Sequence, residues 1–261
     1  MRVELSDKVV VVTGAASGIG AAIARLAAGC GAVGLVLTDR DGGGLRAMAE
    51  AIAAGGVPVS VVEADLRDAA ASAAIARAAV ERFGRTDGLV NAAGLTTRAS
   101  FKEGTAEIWD ELFAVNARAP FLLMQEAIRD MTGRDAPGAI VNVLSMNAHC
   151  GIPELAIYSG TKGALLTLTK NAASAHMRDR IRVNGINLGW VATEAEHRMQ
   201  AETLGQGPDW AERAGATRPL GRLLEAEEAA RLAVFLLSDV SAPLSGAVID
   251  LEQWVAGSPP G

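Results

Sequence analysis

The chain has 261 residues, of which 50% are hydrophobic and 21% are charged, which is typical of a globular protein with one sizeable core. Its formal net charge of −6 leaves no basic surface for phosphate backbones, so we expect no nucleic-acid partner. Charged residues interrupt the N-terminus and no apolar run is long enough to span a membrane, so we expect a cytoplasmic protein with no membrane partner.

Short apolar runs alternate with alanine-rich stretches of helical periodicity. In chain order, the predicted strands are Lys8–Thr13, Val33–Thr38, Val57–Glu63, Gly88–Asn91, Ala139–Ser145, Ile181–Asn187 and Ala247–Leu251. The predicted helices are Ile19–Ala28, Leu45–Ala54, Ala69–Phe83, a long region around Ile108–Met131, Tyr158–Met177 and Glu225–Leu237. This alternation predicts right-handed crossovers and one α/β domain, with a doubly wound parallel sheet covered by helices on both faces. We expect the domain to span residues 1–256 and a loose tail to follow at 257–261.

One polar region interrupts this alternation between Thr193 and Thr217. It carries two short helical pieces and lies between a predicted strand and the next sheet-packing helix. Because α/β proteins place functional loops after the carboxyl ends of strands, we predict a substrate lid at about residues 190–217.

Cysteine and histidine usage predicts neither a disulfide framework nor a metal site. The chain has two cysteines, Cys30 and Cys150, which favours free thiols in a reducing compartment. The three histidines, His149, His176 and His197, form no pattern of metal ligands, so we expect no bound metal.

The segment Thr13–Gly20 follows the first strand and opens the first helix. Glycines there allow a tight turn and let backbone amides approach a phosphate, and the positive end of the helix points to the same place. The spacing Gly-x-x-x-Gly-x-Gly differs from the Gly-x-Gly-x-x-Gly fingerprint, and a simple turn is the alternative, but the position predicts a dinucleotide site. The candidate binding residues are Gly14, Ser17, Gly18, Ile19 and Gly20.

Asp39 follows the second predicted strand, 19 residues after Gly20. A carboxylate there can accept both hydroxyls of the adenosine ribose and would repel a 2′-phosphate, which favours NAD over NADP. Two alternatives remain open: Asp39 caps the next helix, or the adjacent Arg40 holds a 2′-phosphate.

Several motifs in this order resemble those of the short-chain dehydrogenase/reductase family over nearly the whole chain. They are Thr13–Gly20, Asp65-Leu66, Asn91-Ala92-Ala93-Gly94, Asn116, Ser145 and the Tyr-x-x-x-Lys pattern of Tyr158 and Lys162. The resemblance implies a Rossmann-like sheet of about seven strands in the order 3-2-1-4-5-6-7 and a homotetramer or homodimer. It also implies catalytic roles for Asn116, Ser145, Tyr158 and Lys162. The implied cofactor contacts beyond the glycine loop are Asp65, Leu66, Asn91, Ala92, Gly94, Tyr158, Lys162, Val191 and Thr193.

Two departures from the family pattern concern the later strands. Leu188-Gly189 stands where the family usually has Pro-Gly, which makes the nicotinamide contacts of Val191 and Thr193 less secure. The usual Asp-Gly-Gly near the C-terminus is also absent, so the subunit contacts of the last strand are open in detail.

Tyr158, the sole tyrosine, is the predicted proton-transfer group. A free phenol has a pKa of about 10, and lowering it to about 7 needs roughly 4 kcal/mol in favour of the phenolate. Lys162 lies at i+4 on the same helix face, and its cation, together with a positive nicotinamide, can supply that stabilisation. Ser145 is predicted to hydrogen-bond the substrate oxygen. The resemblance implies that Asn116 holds a water in a proton relay to Lys162; the alternative is a helix-interior asparagine that bonds its own backbone.

The substrate is predicted to lie beneath the lid, against Ser145, Asn147, His149 and Trp190. Further candidate lining residues are Cys150, Glu154, Glu194 and His197. The catalytic and cofactor motifs predict an NAD-dependent secondary-alcohol oxidoreductase. Because the lining side chains are mostly polar, we predict that its substrate is a sugar or polyol.

Two other functions remain open. The first is a carbonyl reductase of 3-oxoacyl groups, whose carrier-protein partner would need a basic docking patch. Candidate patch residues are Arg129, Arg134, Arg178, Arg180 and Arg182. The second is a non-catalytic dinucleotide-binding regulator, against which the intact catalytic set argues.

Overall fold

The protein's computed structural model describes residues 2–149 and 151–257, and in these residues seven strands form one sheet. The strands are β1 (Val9–Thr13), β2 (Gly34–Asp39), β3 (Val59–Glu63), β4 (Gly88–Asn91), β5 (Gly138–Val143), β6 (Ile181–Leu188) and β7 (Val248–Leu251). Their order is β3-β2-β1-β4-β5-β6-β7, and every neighbouring pair is parallel. The predicted fold class and strand order are confirmed.

Helices connect the strands and cover both faces of the sheet. They are α1 (Gly18–Gly29), α2 (Gly42–Ala54), α3 (Ala70–Phe83), α4 (Ala106–Phe113), α5 (Ala119–Gly133), α6 (Ala156–His176), α7 (Glu194–His197), α8 (Trp210–Ala216) and α9 (Ala226–Leu237). The single long helix predicted around 108–131 is α4 and α5, joined by a π-helical turn at Ala114–Arg118. None of the helices in the described ranges combines the length and the apolar character that a membrane crossing requires.

Strand β1 is buried on both faces of the sheet, which explains why its sequence is apolar throughout. Val10 and Val12 pack into one core, with Ile23 of α1, whereas Val11 packs into the core on the opposite face, with Ile75 of α3. A parallel strand covered on both faces has no polar side, so its sequence shows no alternation. Each fully buried aliphatic side chain contributes about 1.5–3 kcal/mol, so both layers hold the sheet in place.

The order of the strands reverses next to β1, whose two neighbours are β2 and β4. Crossovers leave β1 toward one side of the sheet and β4 toward the other, so a crevice opens between the loops that follow these strands. Thr13, Asp39 and Asn91 end β1, β2 and β4 at this edge.

The predicted lid region holds α7, a π-helical turn at Arg198–Thr203 and α8. Thr193 caps α7 by accepting a hydrogen bond from the amide of Glu196 at 3.2 Å. Of the predicted loose tail, residues 258–261 lie outside the described residues, as does Cys150.

Candidate active site

A cleft of about 1070 Å³ lies over the carboxyl ends of the strands. Its wall extends from the glycine loop and Asp39 to Tyr158 on α6 and on to the segment after β6. Most of the predicted site residues line this one cleft, so the structure brings together motifs that are far apart in the chain.

The glycine loop packs directly against the end of β4. Gly14 has φ +68°, and a Cβ at this position would lie 2.9 Å from the backbone of Ala93. A Cβ on Gly20 would lie 2.2 Å from the carbonyl oxygen of Gly14. Only glycine fits at these two positions, and the first turn of α1 therefore approaches the cleft with its backbone amides exposed to a ligand.

Thr13 holds the loop at this place, a role that sequence reasoning missed. Its Oγ1 accepts hydrogen bonds from the amides of Ala92 and Ala93, both at 3.0 Å. The side chain thus ties the end of β1 to the segment after β4 across the crevice. A threonine at a strand end was the available signal, but it is too common to be specific.

Asp39 lines the cleft and faces the glycine loop. Its Oδ2 accepts a hydrogen bond from the amide of Ala16 at 3.1 Å, and Oδ1 accepts one from Asp41. The alternative that Asp39 caps the next helix is wrong, because Asp41 caps α2 through the amides of Gly43 and Gly44.

The part of the cleft wall that follows β3 carries an ion pair that the sequence did not reveal. Asp65 pairs with Arg67, whose Nε lies 2.9 Å from Asp65 Oδ2, and this hydrogen bond lowers the pKa of Asp65. Arg67 also contacts Glu111 at the end of α4. Leu66 lines the cleft as predicted.

The Asn91–Gly94 segment divides its residues between the interior and the cleft. Ala92 and Gly94 line the cleft. The Asn91 side chain is buried and donates from Nδ2 to Asn142 Oδ1 at 2.8 Å, so it lies beneath the cleft and braces β4 against β5.

Tyr158 and Lys162 lie one turn apart on α6 and are both buried. Lys162 Nζ lies 5.8 Å from the centre of the Tyr158 ring and donates to the carbonyl oxygen of Val143 at 2.8 Å. Ser145 lies two residues beyond the end of β5, where its Oγ accepts hydrogen bonds from the amide and the side chain of Asn147 at 3.2 and 3.3 Å.

Burial sets the ionisation of both groups in the protein alone. It raises the pKa of Tyr158 to about 12, against a lowering contribution from the hydrogen bond with Ser145, and the carboxylate of Glu196 raises it further. Burial also lowers the pKa of Lys162 to about 8. In the protein without a ligand, the pKa of the Tyr158 phenol is therefore raised, and the lowering that was expected from Lys162 is not seen. With this pKa, Tyr158 is a protonated donor near neutral pH.

Asn116 lies in the π-helical turn and its side chain is fully buried. Oδ1 accepts from the amide of Leu95 at 2.8 Å, and Nδ2 donates to the carbonyl of Leu95 and to Thr161 Oγ1. The alternative of an asparagine that bonds its own helix is wrong, because these contacts connect the segment after β4 to α6. Asn116 is a neighbour of Lys162 across Gly94, where a Cβ would lie 3.4 Å from Asn116 Oδ1 and 3.6 Å from Lys162 Nζ.

Val191 and Thr193 both line the cleft despite the Leu188-Gly189 departure. Gly189 still donates its amide to the carbonyl of Leu251 at 2.9 Å, so the backbone leaves β6 beside β7. Thr193 lies beside the glycine loop, where its Cγ2 would be 3.5 Å from a Cβ on Gly18.

At the substrate end, Asn147 and Trp190 line the cleft, but His149 does not. The imidazole Nε2 of His149 lies 3.0 Å from each carboxylate oxygen of Asp250 and 3.1 Å from Asn187 Nδ2. This placement disagrees with the predicted substrate contact of His149, because the imidazole is hydrogen-bonded to Asp250 of β7 instead.

The segment predicted to form a lid presents different side chains to the cleft from those that the sequence suggested. Glu194 and His197 are not part of the cleft wall, and His197 Nδ1 instead accepts from Trp210 Nε1 at 2.8 Å. Glu196 lines the wall, accepting from Trp190 Nε1 at 2.9 Å. Arg98, Arg198 and Arg218 also line it. Within the described residues, no group of three or more His, Cys, Asp or Glu side chains could hold a metal ion.

Comparisons with known proteins agree with this site. A family model described as "Enoyl-(Acyl carrier protein) reductase" matches residues 14–253. The gluconate 5-dehydrogenase of Gluconobacter oxydans is 35% identical, covering 97% of this chain and 96% of that protein. The 2-(S)-hydroxypropyl-CoM dehydrogenase 3 of Xanthobacter autotrophicus is 34% identical, covering 97% of this chain and 98% of that protein.

A solved structure is similar over almost the full length. The L-sorbose reductase of Gluconobacter frateurii, complexed with NADPH and L-sorbose, aligns with a TM-score of 0.93 and 30% identity over 99% of this chain and 100% of that one. These relatives confirm the predicted class, an oxidoreductase of secondary alcohols or ketones that uses a nicotinamide dinucleotide.

Proposed function

The chain belongs to the short-chain dehydrogenase/reductase family, and from that membership we propose that it transfers a hydride reversibly between NAD(H) and a sugar or polyol. The observation that carries this proposal is the convergence of Ser145, Tyr158 and Lys162 on one cleft, whose far end is the glycine loop. Such a cleft combines a dinucleotide cradle with a proton-transfer group, which is what alcohol oxidation requires.

The wall of the cleft fits a nicotinamide dinucleotide. The close backbone packing at Gly14 and Gly20 leaves no room for a Cβ in the glycine loop. Thr38 also lines the cleft, and its buried Oγ1 has no hydrogen-bond partner in the protein. The glycine loop would hold the diphosphate, Asp39 the adenosine ribose and Lys162 the nicotinamide ribose. The adenine contacts would be Asp65 and Leu66, and the nicotinamide contacts Val191 and Thr193. A bound oxidised dinucleotide would supply the acceptor for the hydride that leaves the carbinol carbon.

The protein's own part of the reaction is proton transfer. In oxidation, Tyr158 would take the proton of the substrate hydroxyl, and in reduction it would return a proton to the ketone oxygen. Ser145 would donate a hydrogen bond to the same oxygen and stabilise its developing charge. Asn116 would place a water that passes the proton by way of Lys162 toward solvent.

Two observations support a sugar or polyol. The side chains around the reacting end include Asn147, Glu196 and Gln200, which offer hydrogen bonds to several hydroxyls, and Trp190 adds one apolar face. The relatives include the gluconate and L-sorbose enzymes and an L-rhamnose 1-dehydrogenase of Azotobacter vinelandii.

The acyl-carrier alternative is weakened by the arginines that would form its docking patch. Arg129 pairs with Glu126, Arg134 with Asp130 and Arg180 with Asp135. Arg182 is buried and donates to Ser241 Oγ at 2.7 Å. Cations already neutralised in this way attract an acidic partner weakly.

We also propose a cytoplasmic homotetramer or homodimer, in which one domain carries a lid at about residues 190–217. Exposed aromatic side chains on α4 and α5, Trp109 and Phe121, support an association face on these helices.

The function is tested by following NADH formation with a panel of sugars and polyols. We expect NAD-dependent turnover on at least one member, at the ordinary rates of about 1–10³ per second for enzymes. If the protein binds dinucleotide but turns over no member in either direction, the non-catalytic regulator becomes the better interpretation.

Asp39 is expected to set the preference for NAD. Replacing it by the isosteric asparagine, Asp39→Asn, removes the charge that repels a 2′-phosphate, and Arg40 is already adjacent. We expect the ratio of kcat/KM with NAD to that with NADP to fall by about 10- to 100-fold. Glu50→Gln, an equal charge change on the exposed surface of α2, is the control and should leave the ratio unchanged. A wild-type kcat/KM that is higher with NADP than with NAD would contradict the NAD assignment.

A further inference from the structure

Two arginines in the wall of the cleft lack partners for buried parts of their guanidinium groups. The Nε atoms of Arg98 and Arg218 are buried and have no hydrogen-bond partner. They are the two charged groups among the buried, unpartnered side-chain atoms of residues 2–149 and 151–257. A buried guanidinium N–H without an acceptor is unfavourable, so a missing acceptor is expected at this place.

The two arginines flank the substrate end of the cleft. Arg98 precedes Ala99, whose amide donates to the carbonyl of Glu154 at 2.7 Å beside Leu155, one turn before Tyr158. Arg218 follows α8, and its guanidinium carbon lies 5.2 Å from the centre of the Trp190 ring. Asp39, in contrast, lies against the glycine loop, where its Oδ2 accepts from the amide of Ala16.

The carboxylates at this end do not neutralise the two cations. Glu196 accepts instead from Trp190 Nε1 and from Gln200 Nε2, at 2.9 and 2.7 Å. Glu252 accepts from the amide of Gln253. Among the described residues, neither Arg98 nor Arg218 lies within 4.0 Å of a carboxylate oxygen, although the chain as a whole is acidic.

Resting on the function proposed above, we propose that the substrate carries an anionic group, held by Arg98 and Arg218, beyond its reacting hydroxyl. A carboxylate, a phosphate ester and a sulfonate share this chemistry, because each offers oxygens to the guanidinium fork. The guanidinium group of Arg218 lies over the Trp190 ring, a contact that favours a fixed position of the cation. The hydroxyl of such a substrate would lie at Ser145 and Tyr158.

The test compares substrates that differ in the anionic group. Gluconate and sorbitol have matched six-carbon chains, and glycerol 3-phosphate and 2-hydroxypropane-1-sulfonate supply the other two anions. With saturating NAD, we expect kcat/KM for at least one anionic member to exceed that for sorbitol by about tenfold or more. The preferred anion identifies the group.

Variants of the two arginines then test whether these side chains bind the anion or only maintain the structure of the cleft. Arg98→Gln and Arg218→Gln are each expected to lower kcat/KM for the anionic substrate by about 10- to 100-fold, mainly through KM. The loss on sorbitol should be several-fold smaller, and Arg218→Lys should recover part of the affinity. Arg77→Gln, on the exposed surface of α3 and away from the cleft, is the control with an equal charge change.

Two results would overturn the proposal: equal turnover of gluconate, the other anions and sorbitol by the wild type, or equal losses on all substrates in both variants. Calorimetric titration of gluconate, glycerol 3-phosphate and the sulfonate into the NADH-saturated protein gives a readout independent of turnover. Turnover of neutral polyols without preference would reject the anion site and keep the alcohol dehydrogenase. Arginine-dependent anion binding without turnover would reject the dehydrogenase and keep the anion site.

Discussion

Tyr158→Phe is expected to lower kcat by about 10²- to 10⁴-fold, the usual contribution of a positioned proton donor or acceptor. The substitution deletes one hydroxyl from a buried side chain and leaves the ring in its place on α6. The dinucleotide contacts of the glycine loop and Lys162 remain, so the Kd for NADH should change by less than about threefold. Initial rates of NADH formation and a fluorescence titration with NADH measure the two effects.

The matched control for this variant is Ser159→Ala. Ser159 neighbours Tyr158 on α6, and its hydroxyl donates to the carbonyl of Leu155 within the helix. Its loss should leave kcat within about twofold. Near-normal turnover of Tyr158→Phe would reject Tyr158 as the proton-transfer group.

Tyrosinate absorbance reports on the same residue, because Tyr158 is the sole tyrosine. With a pKa of about 12, Tyr158 should stay protonated at pH 10 in the free protein, where an ordinary phenol is about half ionised. Bound NAD should move the ionisation to lower pH, since the positive charge of its nicotinamide ring favours the phenolate. Tyr158→Phe should show no tyrosinate signal at all.

The sheet and the dinucleotide end of the cleft were predictable because their patterns have a local physical cause. A strand buried on both faces must be apolar throughout, as Val9–Thr13 is. Gly14 and Gly20 are required because a Cβ at these positions would lie 2.9 and 2.2 Å from backbone atoms, so their spacing follows from a geometry that no other residue allows. Asp39 was identifiable because a strand end followed by a helix places its side chain at the crevice.

The environment of Asn116 was not predictable in the same way. Apolar periodicity indicated one helix around 108–131, and a π-helical turn changes the hydrogen-bond pattern without breaking that periodicity. The partners of Asn116, Leu95 and Thr161, lie 21 and 45 residues away in sequence. Such contacts follow from tertiary packing, which motif spacing does not encode.

The substrate end was the least predictable part. In α7 and the following π-helical turn, a small change of helical register decides which side chain faces the cleft, and the short segment shows no periodicity. The sequence suggested Glu194 and His197, whereas the structure turns Glu196 inward. His149 does not line the cleft, because its imidazole is hydrogen-bonded to Asp250, a residue 101 positions later in the chain.

Lys162→Met is expected to have opposite effects on activity and stability. Turnover should fall by at least about 10²-fold, because the cation that orients the ribose and supports the phenolate is lost. Stability should rise, because the native protein buries an ammonium group whose pKa is lowered from 10.5 to about 8. At about 1.36 kcal/mol per unit, burial of the charged form costs about 3 kcal/mol at neutral pH. Loss of the hydrogen bond to Val143 offsets about 1 kcal/mol of this gain, so we expect the free energy of unfolding to rise by about 1–2 kcal/mol.

The dependence on pH distinguishes this cause from better packing of methionine. The unfolded chain keeps the Lys162 proton up to its ordinary pKa of 10.5, whereas the folded chain releases it near pH 8. Between these values the unfolded state binds more protons, so the wild-type protein gains stability from this group as pH rises. The advantage of Lys162→Met, measured by urea unfolding, should therefore be largest near pH 7 and decline from pH 8 toward pH 10.

Lys170→Met supplies the matched control, because it makes the same substitution at an exposed position two turns further along α6. It should show no such pH dependence and no loss of turnover. A destabilised Lys162→Met would mean that Lys162 holds the fold together, and its role in catalysis would then have no separate support. The expected gain means instead that the buried charge is retained against the stability of the fold, which is typical of a group kept for its chemistry.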